Sequence, residues 1–388
     1  MFREHRQPAI LVASDILPLY DQHSGALRLK TLIEMIGKLD RPILFASTHV
    51  KNWLPSVLSD DERRTQYENV LRRAGVVDFA YGARELEKLL KQRNHRVTHA
   101  FLSFPAVAEL FMPVVRRLET DAKIIYDMVD FHGLRMEREA TLFNDPKLIL
   151  EAEAMRNLEI SIVERADITI AVSVEEKEAM LELASTADIR VLPNIFEIPP
   201  GAPKGTMDRK NVLFLGGFLH RPNGDAVTWF VENIWPLIQI AEPGCRFIIA
   251  GSNLGPEIIA LAKHSGVDVV GYVEDLQPLY DSARVCVAPL RFGAGIKGKV
   301  GQSMAYGVPV VATSTGVEGM RQHGHQHILV ADEPEGFAAH VLALLKDDDL
   351  WVSLQREGRR FVEANLSIDA LNDTVRDLFR DNGGRDRD

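Results

Sequence analysis

Cysteine is scarce in this chain of 388 residues, where Cys245 and Cys286 are the only two. Two cysteines cannot form a dense disulfide framework or a cysteine-based zinc site. The length suits roughly two to three domains, and a chain of this size buries about three-quarters of its unfolded surface. We therefore expect a globular protein that needs no covalent or metal staple and keeps its thiols reduced.

Positive charge is also in short supply, because 45 Lys and Arg residues stand against 55 Asp and Glu residues. The net charge of -10 argues against nucleic acid as a partner, since proteins that bind it are usually basic. Three arginine pairs, Arg63-Arg64, Arg72-Arg73 and Arg116-Arg117, leave open either a solvated face or contact with anionic lipid head groups.

Long apolar runs are absent as well. No window approaches the roughly 20 apolar residues that span a bilayer, and Met1–Pro8 lacks the apolar segment of a signal peptide. We expect a cytoplasmic protein, with peripheral attachment to the inner face of the membrane as an open alternative.

Patterns typical of metal ligands are sparse. His323, His325 and His327 alternate, which would place them on one face of a strand. The run lacks the spacing of a defined metal motif, and a solvated connection is the favoured interpretation. No Asp-x-Asp motif occurs in a context typical of a cleft, so we expect no bound metal and no cofactor.

Short apolar strands alternate with helical patterns through both halves of the chain. The first unit is a strand at 9–13, a helix at 26–39 and a strand at 42–46, and this order with short connections indicates a parallel sheet. Prolines and glycines concentrate at 198–210, which predicts a linker between two α/β halves of similar size. In the second half, the pattern predicts one helix over 224–238.

The densest functional pattern is a glycine-rich loop with two lysines, which follows a strand and precedes a helix. Its glycines allow backbone amides to approach a ligand, and the helix N-terminus adds free N–H groups and a positive dipole end. Two ammonium groups complete a combination that suits a diphosphate. The residues are Gly293, Gly295, Lys297, Gly298 and Lys299.

The three glycines of this loop also match the dinucleotide-binding pattern G-x-G-x-x-G, and Glu318 lies where a ribose-binding acid would be expected. The motif lies late in the chain, however, and Arg291 and Phe292 separate the strand from the first glycine. Binding of NAD or FAD is therefore a minor alternative, as is a turn that serves only packing.

Several motifs, in family order, resemble the family-4-type retaining glycosyltransferases of GT-B fold (glycosyl transferases group 1). In the C-terminal half they are Phe214–Phe218 with Arg221–Asn223, Gly271–Leu276 with Tyr280–Ala283, and the 291–307 loop with Pro309–Thr313 and Gly316–Gly319. In the N-terminal half they are Val172–Glu176 and Leu192–Asn194.

The resemblance implies two Rossmann-like, doubly wound α/β domains that face each other across a cleft. Residues 1–197 would bind the acceptor, residues 211–365 would bind the nucleotide-sugar, and the helix at 366–388 would cross back to the first domain. The implied activity is retaining transfer of a sugar to a glycan, a lipid-linked or another acceptor in polysaccharide or glycoconjugate biosynthesis.

The resemblance also implies roles for individual residues. Lys297 would contact the β-phosphate, and His132 with Asp130 would act at the reacting sugar. The donor would be bound by Gly25, Gly217, Arg221, Arg291, Gly293, Ala294, Gly295, Ile296, Lys297, Lys299 and Gln302. On the acceptor side stand Ser24, Arg28 and Arg135.

Two family features are missing. Ala294 and Gln302 occupy the two positions of the glutamate pair E-x7-E across the loop, and Gly217, with Arg221 nearby, occupies the position of the arginine that often follows the first strand of the C-terminal half. Gln302 can still hydrogen-bond a ribose, whereas Ala294 cannot contact the donor sugar through a polar group. Two alternatives therefore stay open: a GT-B-shaped protein that binds a nucleotide-sugar or glycan with little turnover, and a nucleotide-sugar epimerase or hydrolase. The motifs do not identify the base, the sugar or the acceptor.

Overall fold

The computed structural model describes residues 6–51, 54–92, 94–207, 209–320 and 327–380. Over these residues the chain forms two α/β halves, each built on one parallel sheet with helices on both faces. Within the same ranges, no helix is both long and apolar enough to cross a membrane.

The N-terminal sheet has seven strands in the order β3-β2-β1-β4-β5-β6-β7, and its paired strands run parallel. The strands are β1 (Gln7–Ser14), β2 (Ile43–Ser47), β3 (Val76–Tyr81), β4 (His95–Ser103), β5 (Lys123–Asp127), β6 (Ile168–Ala171) and β7 (Ile189–Val191). The helices are α1 (Ser24–Gly37), α2 (Ser56–Ser59), α3 (Asp61–Arg73), α4 (Ala83–Lys91), α5 (Pro105–Leu118), α6 (His132–Phe143), α7 (Pro146–Arg165) and α8 (Val174–Leu183).

The C-terminal sheet has six strands in the order β10-β9-β8-β11-β12-β13, also parallel. The strands are β8 (Asn211–Leu215), β9 (Phe247–Ala250), β10 (Val267–Gly271), β11 (Ala283–Ala288), β12 (Val310–Ala312) and β13 (Leu329–Val330). The helices are α9 (Arg221–Trp229), α10 (Trp235–Ala241), α11 (Pro256–Ile259), α12 (Gln277–Ser282), α13 (Gly298–Ala305), α14 (Pro334–Lys346), α15 (Asp348–Asn365) and α16 (Ile368–Leu378).

In both sheets the strand order reverses beside the first strand, at β1/β4 and at β8/β11. The crevice at such a switch point, beyond the carboxyl ends of the strands, is where open α/β sheets bind ligands. The central strands are apolar and buried on both faces, as covered parallel strands must be. These two crevices therefore fix where a site can form.

The last helix does not stay with the C-terminal half. Leu371, Val375 and Leu378 of α16 are buried in the same apolar cluster as Ile10 and Val12 of β1. At the crossing, the Phe196 N–H donates to the Leu366 carbonyl over 2.8 Å. The helix thus adds apolar surface to the N-terminal core.

The helix expected over 224–238 lies within a continuous helical stretch, 221–241, in which α9 and α10 are interrupted only by π-helical bonding over Phe230–Ile234. Pro236 explains the interruption, because it has no N–H to donate to the carbonyl four residues earlier. A π-bulge absorbs such a break without ending the helix.

Candidate active site

The two switch points face each other, and the loops that follow their strands are in contact. After β1, the Gln22 carbonyl accepts a hydrogen bond of 3.2 Å from Ser252 Oγ. Asp21 Oδ2 accepts another, of 3.1 Å, from the hydroxyl of Tyr272. The cleft is therefore bounded by the ends of both sheets.

The glycine-rich loop after β11 packs against the N-terminal half. Gly295 has φ +65°, a conformation that L side chains rarely adopt. A Cβ added there would lie 2.9 Å from Val172 Cγ2 and 3.1 Å from Glu176 Oε1. Ala294 joins the apolar cluster of the N-terminal half, and the Ile296 carbonyl accepts a hydrogen bond of 3.1 Å from Asn194.

Helix N-termini from both halves meet at this loop. A Cβ added to Gly298, the first residue of α13, would lie 2.4 Å from Ser24 Cβ at the start of α1. The first turn of α9 reaches the same place, because Asn223 Oδ1 accepts a bond of 2.6 Å from Lys299 Nζ. Each N-terminus brings free N–H groups and a partial positive charge, which favours an anion.

The two loop lysines are held differently. Lys297 is 7% exposed, and its Nζ donates to the carbonyls of Ala294 at 2.8 Å and Gly295 at 2.5 Å. Burial lowers the pKa of Lys297, against the attraction of Glu318. Lys299 lies over the ring of Phe214, 4.8 Å from its centroid. Burial and the nearby Lys297 lower the pKa of Lys299 to about 7.

Arg138 of α6 bridges the cleft. Its Nη1 donates to the Gly293 carbonyl at 2.6 Å and to Glu318 Oε2 at 2.9 Å, while Nη2 donates to Glu318 Oε1 at 3.0 Å. Lys297 Nζ lies 3.6 Å from Glu318 Oε2. Arg138 therefore links the N-terminal half to the loop through the Gly293 carbonyl, and to Glu318 through a bidentate ion pair.

Two carboxylates, the buried Glu176 and the partly buried Asp130, face the loop from the N-terminal half. Asp130 Oδ2 accepts a bond of 2.7 Å from Arg135, whereas Asp130 Oδ1 is buried and has no hydrogen-bond partner among the described residues. Glu176 accepts from the N–H of Phe131 at 2.9 Å and of Val172 at 3.3 Å. Burial and the neighbouring Asp130 raise the pKa of Glu176 to about 7. Although burial opposes it, the cations His132, Arg135 and Lys297 hold the pKa of Asp130 below its usual value.

His132 opens α6 at the edge of the cleft, and its side chain is 18% exposed. Nδ1 lies 3.3 Å from Glu159 Oε1, and the ring meets Phe104 edge to face at 6.1 Å. Burial disfavours the imidazolium, but Glu159 and Asp130 outweigh it and raise the pKa of His132.

Two residues near this histidine have strained backbone conformations. Phe104 has φ +80° and Val129 has φ +63°, a conformation that is an outlier for a bulky or β-branched residue. Both line a small cavity at the carboxyl ends of β1, β4 and β5. Such strain is found at active sites, where the surrounding structure holds it in place.

The expected acceptor residues have separate environments. Arg28 is 2% exposed and bonds both oxygens of Asp127, at 2.8 and 3.0 Å, as well as the Leu192 carbonyl. This arrangement commits Arg28 to joining β5 and β7, so it has little freedom to bind an acceptor. Ser24 is exposed, and Arg135 is held by Asp130.

The remaining donor-site candidates lie around the same cleft. Arg291 pairs with Asp225 of α9 and approaches the ring of Phe143, which directs it to the rim. Arg221 lies 2.9 Å from Glu139 of α6, across the cleft. Gly25 lines the small cavity. A Cβ added to Gly217 would lie 3.6 Å from the Gln22 carbonyl. Gln302 is half-buried on α13.

Sequence reasoning did not assign Arg138, Glu159 or Glu176 to the site. Glu159 had a readable signal, because it shares a helical face with the buried Ala152, Ile162 and Val163. A charged residue on an apolar face requires a buried partner. Arg138 offered no such signal, since its partners lie in the other half of the chain.

Within the described ranges, no group of three or more His, Cys, Asp or Glu side chains is placed to hold a metal ion. Of the three alternating histidines, His323 and His325 lie outside the described residues. His327 is buried, and its Nε2 lies 2.8 Å from the Met320 carbonyl.

Residues 209–347 match the family model described as Glycosyl transferases group 1. A protein of Klebsiella pneumoniae, described as an uncharacterized 44.6 kDa protein in the cps region, is 26% identical over 145 residues. That match covers 35% of this chain and 37% of the Klebsiella protein, so it spans little more than a third of the relative's length.

Solved structures match over nearly the whole chain. Sucrose-phosphate synthase from Thermosynechococcus elongatus has a TM-score of 0.73 at 17% identity, over 97% of this chain and 98% of that one. HepE from Anabaena, solved in complex with UDP-glucose, has a TM-score of 0.69 at 12% identity, over 96% and 99%. The predicted fold class is confirmed, since both sheets and their arrangement are those of the GT-B glycosyltransferase fold.

Proposed function

We propose that this chain is a family-4-type retaining glycosyltransferase that moves a sugar from a nucleotide-sugar to a glycan or lipid-linked acceptor. One observation carries the proposal: Lys297 and Lys299 flank the N-terminus of α13, which faces the N-terminus of α1 across the cleft. Free N–H groups, helix dipoles and ammonium groups together suit a leaving diphosphate.

The charge balance of the cleft supports this assignment. Asp130 is paired with Arg135, and Glu318 is paired through both oxygens with Arg138. Lys299 bonds the neutral amide of Asn223 instead. Lys299 is therefore the cation that the local carboxylates neutralise least, whereas Lys297 lies 3.6 Å from Glu318.

In the proposed reaction, the bond between the anomeric carbon and the diphosphate oxygen breaks, and the diphosphate keeps the electron pair. The acceptor oxygen bonds to the anomeric carbon on the same face, and its proton passes to the departing phosphate oxygen. Lys297 and Lys299 stabilise the charge that develops on the diphosphate. His132 and the unpartnered Asp130 Oδ1 contact the sugar, and Gln302 contacts the ribose.

The comparisons support the donor class. HepE was solved with UDP-glucose, and the matching family is one of glycosyl transferases. The loss of E-x7-E is compatible with this role, because the lysine-bearing loop offers phosphate contacts that need no glutamate. We further propose that the reaction is independent of metal.

A panel of nucleotide-sugars tests the function. We expect one donor to release free nucleoside diphosphate slowly without acceptor, and to do so equally after dialysis against EDTA. Lys297→Met serves as the inactive control. Donor binding with no release would favour the nucleotide-sugar-binding alternative, and activity restored only by Mg²⁺ or Mn²⁺ would contradict metal independence.

A further inference from the structure

The N-terminus of α6, which carries His132, is capped from a different helix. The residue before it, Phe131, makes no side-chain capping bond. Instead Glu159 of α7 accepts the N–H of His132 at 2.9 Å through Oε1 and the N–H of Gly133 at 2.9 Å through Oε2. Glu159 is 0% exposed, so its carboxylate is shielded from solvent.

The approach of the two helices depends on Gly133. A Cβ at that position would lie 2.9 Å from both Cα and Cβ of Arg156 on α7. Only a residue without a side chain lets α6 come this close, and the short separation places Glu159 beneath the first turn. The contact is therefore built into the packing of α6 on α7.

Glu159 also faces the imidazole of His132, with Oε1 3.3 Å from Nδ1. A carboxylate whose oxygens already accept two backbone N–H groups must act as an acceptor toward Nδ1 as well. The proton of a neutral His132 is then on Nδ1, and Nε2 presents its lone pair. Among the described residues, none bonds Nε2.

We propose that Glu159 is the positioning residue for His132: it fixes the tautomer and ring orientation so that Nε2 faces the reacting sugar. This inference rests on the proposed function. A carboxylate that orients an imidazole in this way is a general device of histidine sites. Glu159 itself touches no substrate.

The charged groups around the imidazole are few and can be named. Asp130 approaches from the segment before α6, and Arg135 approaches from α6 itself. Glu159 approaches from α7, and the uncharged ring of Phe104 from the end of β4. Removing the charge of Glu159 leaves Asp130 as the remaining carboxylate. The imidazolium should then lose its proton at lower pH.

The test uses the full chain and the variant Glu159→Gln, which keeps the shape and removes the charge. Histidine labelled with ¹³C at the ring gives a titration curve, and His132→Gln identifies the resonance among the 12 histidines. We expect the pKa of His132 to fall by about one unit in Glu159→Gln. With the donor found above, kcat should fall about tenfold while KM for the donor stays within twofold.

Two further comparisons distinguish positioning from capping alone. In a His132→Gln background, Glu159→Gln should lower kcat no further, because its effect acts through the imidazole. Asp145→Ala, which removes the N-cap of α7, should lower the melting temperature but leave the titration of His132 unchanged. An unchanged titration in Glu159→Gln, or a kcat loss that persists without His132, would overturn the proposal. If the titration shifts but no nucleotide-sugar is turned over, the pairing stands and the proposed function fails.

Discussion

Lys297 and Lys299 are two positions apart, yet their surroundings give them different chemistry. Lys297 is bonded to carbonyls of its own loop and lies 3.6 Å from Glu318. Lys299 has an amide oxygen and an aromatic face as neighbours. The first lysine is therefore held in a fixed place, and the second is the one whose charge state is open to change.

Lys297→Met should reduce kcat/KM by about 10² to 10³, because removing one preorganised donor to a developing anion costs about 3 to 4 kcal/mol. Methionine keeps an unbranched apolar stem, so the loop can retain its packing. The measurement is steady-state release of nucleoside diphosphate, with melting temperature as a check on folding. Lys204→Met, at a lysine whose side chain is 68% exposed, should leave kcat/KM unchanged. A near wild-type kcat/KM in Lys297→Met would exclude this lysine from the reaction.

Donor binding should take up a proton above pH 7. The lowered pKa of Lys299, about 7, means that the free protein holds it charged below pH 7 and neutral above. A bound diphosphate favours the charged form. Affinity should therefore fall about tenfold as pH rises from 7 to 8.5. Calorimetry at pH 8 in buffers of different ionisation enthalpy should report uptake approaching one proton.

Lys299→Arg provides the matched control, because a guanidinium stays charged throughout this range. Its affinity should depend less on pH than that of the unmodified protein, and its binding should take up fewer protons, since Glu176 still has a pKa of about 7. Zero uptake by the unmodified protein at pH 8 would show that Lys299 does not change its charge on binding.

At the residue scale, the sequence predicted the loop and the neighbourhood of His132, because glycine spacing and strand ends can be read locally. It could not predict the Arg138–Glu318 pair, since the partners lie 180 residues apart and the local motif that contains Glu318 does not identify Arg138 as its partner. Arg28 shows that a local pattern can also suggest a role in binding for a residue whose buried contacts are structural. An arginine in the first turn of a helix beside a cleft suggests ligand contact, whereas burial against Asp127 commits it to the sheet.

At the scale of elements, the loop after β11 depends on the positive φ of Gly295 and on the close approach of this residue to the N-terminal half. Gly295→Ala should lower stability by about 1 to 3 kcal/mol through its positive φ, and the contact with Val172 and Glu176 should add to that loss. Denaturant unfolding measures the total.

Two other glycines separate these contributions. Gly201 has φ +83° but nothing within 4 Å of an added Cβ, so Gly201→Ala reports strain alone. Gly205 has neither positive φ nor a close neighbour, so Gly205→Ala should be neutral. If Gly295→Ala costs no more than Gly201→Ala, the loop does not press on the N-terminal half in solution.

Element prediction worked best where hydrophobic period and connection length agreed, as in the first strand, helix and strand. It was also right for the helix over 224–238, but it did not predict the π-helical stretch inside it, because Pro236 shifts the hydrogen-bond ladder within a pattern whose hydrophobic period is unbroken. The edge strand β3 was missed for a related reason, since Asp78 and partly exposed neighbours weaken its pattern. Buried central strands carry a clear signal, and edges do not.

At the scale of the whole molecule, the two halves are joined by the cleft contacts, by the connection through Asn194 and by α16. Arg138, Tyr272 and Ser252 each bond a partner in the opposite half. A GT-B protein with its site at this boundary should respond to the spacing between halves as strongly as to the side chains in the site.

Gly298→Ala tests that spacing. Gly298 opens α13 without positive φ, so alanine fits the helix and does not strain the C-terminal half. Its Cβ would lie 2.4 Å from Ser24 Cβ and 2.6 Å from Ser24 Oγ across the cleft. We expect the halves to separate, which raises the radius of gyration in X-ray scattering and weakens donor binding about tenfold, or about 1.4 kcal/mol.

A second change on the opposite side should reverse the effect. Ser24→Gly removes the two atoms that the new methyl group meets, so Ser24→Gly/Gly298→Ala should regain both the compact dimensions and most of the affinity. Gly224→Ala is the matched control within the same half, because the nearest atom to its added Cβ is Ile258 Cδ1 at an ordinary 3.7 Å. Rescue by Ser24→Gly would establish that α1 and α13 meet across the cleft in solution. If Gly298→Ala leaves dimensions and affinity unchanged, the facing of these two N-termini is absent, and the phosphate site must be built from the C-terminal half alone.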